Sequence, residues 1–149
     1  MDAQSVLSLD NPIFRLYATY GAAVTLKMMC LSLYVSRFRI TRKVFANLED
    51  ASGKQKYVRN DDDIERGLRC HRNDLENVIP FLILGLMYVT TDPSVFAATW
   101  HFRVFVASRF FHTVAYLTPL PQPCRALSFA IGLVANISMG VQVLMNGTF

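Results

Sequence analysis

Apolar and polar positions divide this chain into four long apolar stretches with polar interruptions. Residues 126–145 run without a formal charge, and about twenty such residues cross a hydrocarbon core of roughly 30 Å as a helix. A third stretch, 95–116, is of similar length but carries His101, Arg103, Arg109 and His112. The second is polar at its start near Asp63 and turns apolar over 78–89. The first covers about 12–35, with Arg15 near one end and Lys27 inside it. Thr90, Thr91, Asp92 and Pro93 make a tight connection, and the Pro-rich run 118–123 makes another. Pro80 lacks a backbone donor, which predicts a kink in the second helix. The pattern predicts a single all-α domain over 1–149, an integral membrane four-helix bundle with helices near 10–40, 63–90, 95–117 and 124–146.

Composition sharpens that reading. Apolar residues make up 52% of the chain and charged residues 17%, against about 25% charged in soluble domains. Ten of the fifteen Lys and Arg residues lie between Arg37 and Arg72. The net charge of +4 does not mark a nucleic-acid binder, because Glu49, Asp50, Asp61, Asp62, Asp63 and Glu65 interleave with those cations. A basic connection beside apolar spans is what the positive-inside rule expects, so the link between helices one and two is read as cytoplasmic. The start of helix two, the end of helix three and the start of helix four then share that side. The polar N-terminal residues lack a cationic n-region, and the first span is expected to stay as a signal anchor. Cys30, Cys70 and Cys124 are far apart, with no CxxC pair, and suggest neither a disulfide framework nor zinc.

The candidate chemistry lies on two helices. Arg69, Arg72, Asn73 and Glu76 follow i, i+3, i+4, i+7 spacing and share one face of helix two, with Arg66 one turn away. Arg109, His112, Thr113 and Tyr116 repeat the spacing on helix three. Arginine near a helix end can simply snorkel to the interface, and Arg66 and Arg103 fit that reading. Several ionisable groups of mixed sign on one stripe are a different matter, since each costs at least ~2.5–3.5 kcal/mol at the bilayer centre. A buried anionic ligand repays them most simply. Arginines pair with carboxylates, and Glu76 suits an ammonium group. A zwitterionic thiol peptide such as glutathione fits, as does a phosphate-bearing lipid headgroup. Residue spacing stops at a mainly cationic pocket in a helix bundle.

Three segments carry a resemblance. Residues 65–81 (ERGLRCHRNDLENVIPF), 44–50 (VFANLED) and 101–123 (HFRVFVASRFFHTVAYLTPLPQP) resemble, in the right order, motifs of the membrane-associated proteins in eicosanoid and glutathione metabolism. The likeness covers about residue 27 to the C-terminus and favours the transferase branch. It implies a homotrimer of four-helix subunits that binds glutathione as co-substrate near the cytoplasmic face, between subunits. Position by position, the implied glutathione contacts are Arg39, Arg69, His71, Arg72, Asn73, Glu76, His112, Tyr116 and Arg125; the polar stripe adds Arg109. Arg125 matches the arginine that stabilises the thiolate, the catalytic role. The implied activity is conjugation of glutathione to lipophilic electrophiles, with reduction of lipid hydroperoxides as a second activity. Membrane lipid is the expected surrounding, in the endoplasmic reticulum or the mitochondrial outer membrane.

The departures from the family pattern are informative. Ala126 stands where the prostaglandin E synthase branch has serine, and Phe129 where it has tyrosine, which argues against a prostaglandin isomerase. Arg72, conversely, matches that branch. Ala51 replaces the transferase's reactive loop cysteine, so activation by thiol modification there is not carried over. A non-enzymatic lipid-presenting member would keep little of the arginine stripe, and this chain keeps it. Cys70 is read as a packing cysteine before a reactive one, and Phe102, Phe105, Phe110 and Phe111 as helix or lipid packing before a substrate wall. His71 and His112 lack a third ligand at metal spacing, and no metal is expected. The sequon at Asn146 adjoins the last span, where use is not expected.

Overall fold

The computed structural model describes residues 6–148. Helix α1 spans Pro12–Arg42. Asn11 caps it by accepting the Ile13 N–H, and Pro12 occupies the first turn, where a missing donor costs nothing. It ends at Lys43, whose left-handed backbone (φ 51°) turns its N–H onto the Arg39 and Ile40 carbonyls. These caps start and end α1 two residues later than the apolar pattern placed it. Helix α2 spans Asp62–Thr90, capped by Asp61 on the Asp63 and Ile64 N–H groups, with Asp62, Asp63 and Glu65 in its first turn. Carboxylates there complement the helix dipole. Pro80 sits inside α2, and the helix continues through it. Helix α3 spans Val95–Leu117 behind a Ser94 cap, and α4 spans Cys124–Met145.

The tight links force an up-down bundle. Helices α1 and α4 each pack against both α2 and α3, so the central pair is flanked on two sides. The apolar core is Val24 of α1, Val78, Phe81, Tyr88 and Val89 of α2, Ala98, Phe102 and Phe105 of α3, and Ala135 and Met139 of α4. Phe81 and Phe105 stack face to face at 4.1 Å. Tyr17 of α1 donates its hydroxyl to the Leu82 carbonyl at 2.7 Å, tying α1 to α2 just past Pro80. Large apolar side chains also point outward on every helix: Leu26 and Leu33, Ile79 and Ile83, Phe96 and Trp100, Val134 and Ile137. An outer surface of that kind is stable against lipid tails, not water.

Length positions the site. Helices α1 and α4 are long and apolar enough to cross a membrane. The first two helices, at 31 and 29 residues, are each roughly 45 Å long, while α3 and α4, at 23 and 22 residues, are roughly 33 Å. The end of α1 and the start of α2 therefore overreach the other pair by about 10 Å. That overhang carries Arg39, Arg66 and Arg69.

The loop joining them is tied down. Arg42 grips Asp61 through both carboxylate oxygens at 2.8 and 2.9 Å and reaches Asp63 at 2.8 Å. Its guanidinium also lies over the Phe38 ring, 4.4 Å from the centroid. Val35, Val44 and Ile64 form a small apolar cluster beneath. The hydrogen bonds from Arg42 hold the Asp61 carboxyl below its usual range. A carboxylate with a depressed folded-state value stabilises fully above the ordinary aspartate range and loses that contribution as pH falls through the depressed value. Limited proteolysis of the 44–60 loop is therefore expected to stay slow near neutrality and accelerate in acid. Asp61→Asn, which keeps a capping oxygen, is expected to show fast cleavage already at pH 7.

Candidate functional site

The outer face of α2 and the inner face of α3 do different things. On α2 the buried stripe is Gly67, Cys70, Asp74, Asn77, Val78 and Phe81. Arg69, Arg72 and Glu76 are exposed, with Asn73 half-buried at the edge. At 100° per residue, the Arg69–Glu76 stripe points roughly 130° away from the buried one. It therefore faces out of its own bundle. Among the described residues, Arg69, Arg72 and Glu76 make no ion pair and no side-chain hydrogen bond with the chain. The stripe on α3 is the reverse: Arg109 and His112 are buried, Arg109 completely, and Thr113 and Tyr116 are half-buried. The sequence placed two polar stripes on neighbouring helices; the structure turns one outward and one inward.

They touch at one place. Arg109 Nη1 donates to Asn73 Oδ1 at 2.9 Å. Toward the loop end of α3, the His112 and Tyr116 rings lie 5.6 Å apart, and the Arg125 guanidinium sits over the Tyr116 ring at 5.1 Å. Arg125 is in the first turn of α4 and half-buried, and its Nε finds no partner. His71 Nδ1 and His112 Nδ1 are buried and unpartnered as well. Such atoms are free to bond water or a ligand. Arg39 is half-buried on the last turn of α1. The sequence-derived site residues run from Arg39 in the last turn of α1 to Glu76 near the middle of α2, and no hydrogen bond joins Arg39, Arg69 or Arg72 to the Arg125 cluster. One chain carries two partial surfaces: an outward cationic face on α2 and an Arg125–Tyr116–His112 group between α3 and α4.

Residue-pattern reasoning passed over the groups beneath. Lys27 Nζ meets Asp74 Oδ2 at 2.6 Å, with the two side chains 8% and 0% exposed. The same Nζ donates to Thr113 Oγ1 at 3.0 Å and faces the Arg109 carbonyl at 3.5 Å. Thr113 Oγ1 donates to that carbonyl at 3.1 Å. Asn136 of α4 donates to the Asn77 carbonyl at 3.2 Å. The available signal was Asp74 itself, which falls on the apolar stripe of α2 and needs a counter-ion, with Lys27 in the middle of the first span to supply one. Cys70 is fully buried, its Sγ 3.9 Å from Thr113 Oγ1, and no reagent in solution reaches it. Phe102 and Phe105 are core, while Phe110 and Phe111 are exposed on the outer surface.

A buried ion pair broken on one side leaves an uncompensated charge, at a cost of about 3–5 kcal/mol, whereas replacing both partners by apolar residues is often neutral. Lys27→Met is expected to lower unfolding stability in detergent by that amount. Lys27→Met combined with Asp74→Leu is expected to recover most of it.

Comparisons with known proteins cover most of the chain. The chain is 49% identical over 142 residues to microsomal glutathione S-transferase 1 of Homo sapiens, covering 91% of this chain and 92% of that protein. The Bos taurus protein of the same name is 46% identical over the same shares. Prostaglandin E synthase of Homo sapiens is 38% identical over 97% of this chain and 95% of its own length. The MAPEG family profile matches residues 17–145. With that profile spanning most of the chain and near-half identity to full-length relatives, this chain belongs to the MAPEG family of membrane proteins.

Proposed function

We propose that the chain is a glutathione S-transferase that conjugates glutathione to lipophilic electrophiles, and that it also reduces lipid hydroperoxides. The observation that carries this reading is the outward row of Arg69, Arg72 and Glu76, which the bundle leaves unpaired beside Asn73. Two cations and one carboxylate on one face match a peptide with two carboxylates and one ammonium group. Arg125 supplies the remaining requirement. The thiolate is the attacking species, and a neighbouring cation lowers a thiol's pKa. Its sulfur attacks the electrophilic carbon, a carbon–sulfur bond forms, and the leaving group departs while the thiol proton goes to solvent. With a hydroperoxide, two glutathione molecules give the disulfide, and the peroxide becomes alcohol and water.

The two partial surfaces support a site that a second subunit completes, because a face turned away from its own bundle encloses a ligand only when another chain covers it. The family resemblance makes that assembly a homotrimer with glutathione between subunits. Helices α2 and α3 cross the membrane with α1 and α4. The loop end faces the cytoplasm, and the endoplasmic reticulum is the host membrane. Electrophiles reach the site laterally from the bilayer, along the apolar outer face. The relatives support transferase over prostaglandin isomerase, at 49% against 38% identity, and Ala126 and Phe129 agree.

Purified in detergent with glutathione and an aromatic halide, the protein is expected to form the conjugate. Arg125→Ala is expected to lower kcat by about 10²-fold or more, comparable with losing a main transition-state donor, with the cross-linked trimer unchanged. Intact protein that forms no conjugate above background would sink the proposal.

A further inference from the structure

Lys27, Asp74 and Arg109 are charged side chains shut inside the bundle, where neither glutathione nor an electrophile reaches them. Arg109 has no solvent exposure, so it meets a ligand on the outer face of α2 only through another residue. That residue is Asn73, 2.9 Å from Arg109 Nη1. A guanidinium donates and never accepts. The Asn73 atom facing it is therefore the amide oxygen, and the amide NH₂ points the other way. Asn73 Nδ2 has no protein partner among the described residues, and it is not one of the buried orphans. Asn73 shares its face with Arg69, Arg72 and Glu76, so the NH₂ is presented to that stripe as a donor.

Asp74 follows Asn73 on the helix, and its Oδ2 accepts from Lys27 at 2.6 Å. Arg109 holds Asn73 and not this carboxylate, although a buried carboxylate is the stronger acceptor for a guanidinium. Gly132 of α4 makes room for Ser108, since a Cβ there would stand 2.7 Å from Ser108 Oγ, and it packs beside Arg109 at ordinary contact distance.

We propose that Arg109 is a positioning residue that locks the Asn73 amide with its NH₂ outward, as the donor for a glutathione carboxylate. The inference rests on the glutathione-binding reading above.

Asn73→Asp separates this role from simple packing. An aspartate keeps an acceptor for Arg109 but turns a second acceptor, in place of the donor, toward the anionic ligand. Titration of the full-length protein in detergent with glutathione is expected to give at least a tenfold weaker Kd for Asn73→Asp, with Tm held or raised. Arg109→Met is expected to raise Kd and KM for glutathione about tenfold while saturating kcat stays within about twofold. In an Asn73→Ala background, Arg109→Met is expected to add nothing further to Kd. Asn73→Asp binding glutathione as the wild type does, or an Arg109→Met effect that persists without Asn73, would overturn the positioning role while leaving the transferase reading intact. Wild-type protein that binds no glutathione would overturn both. Should Arg109→Met fail to fold, the Asn73→Asp titration decides alone.

Discussion

The ion pair between Lys27 and Asp74 is the constraint around which the polar half of this bundle is arranged. Three helices meet at it: α1 through Lys27, α2 through Asp74, and α3 through Thr113 and the Arg109 carbonyl. Charges this deep are tolerated only when paired and hydrogen-bonded. Any rotation of α2 that withdrew Asp74 from Lys27 would strand both. The rotation that satisfies them also turns Arg69, Arg72 and Glu76 outward, because those residues lie on the other side of the same helix. An internal electrostatic requirement thus sets which residues the protein offers to its surroundings.

Below that level the bundle is conventional apolar packing. The Phe81–Phe105 stack, Phe102, Tyr88 and Met139 fill the half farther from the loop. The division suits a membrane protein whose ligand is anionic and whose second substrate is oily. One end is polar, on the longer helices, while the outer surface of the remainder is apolar. The two substrate classes then approach from different solvents.

The Arg42 clamp has a related job at the loop end. By fastening Asp61 and Asp63 to the last turn of α1, it fixes how α2 enters the bundle. Four turns later the same helix carries Glu76. Small errors in entry angle grow along a helix of this length, so the cap and the buried pair together hold the outward stripe at one height and one azimuth.

The sequence by itself determined the four helices, their order and nearly their ends, because apolar length, proline-rich links and capping residues are local properties. The ends of α1 moved by two residues, where the Asn11 cap and the left-handed Lys43 decide the boundary, and those of α2 and α4 by one at most. It also determined that Arg69, Arg72, Asn73 and Glu76 share a face, since helical spacing alone settles that. It did not determine which way the face points: the azimuth of a helix depends on what its opposite side must bury. Asp74 looked like one more charge in a charged segment, and Lys27 like an isolated cation in a span 47 residues away. Their pairing is a contact between helices, and together with the buried apolar stripe of α2 it turned one polar stripe outward. The tertiary structure decided orientation because buried charges must find each other in space, and no periodicity along a single helix records where the partner lies.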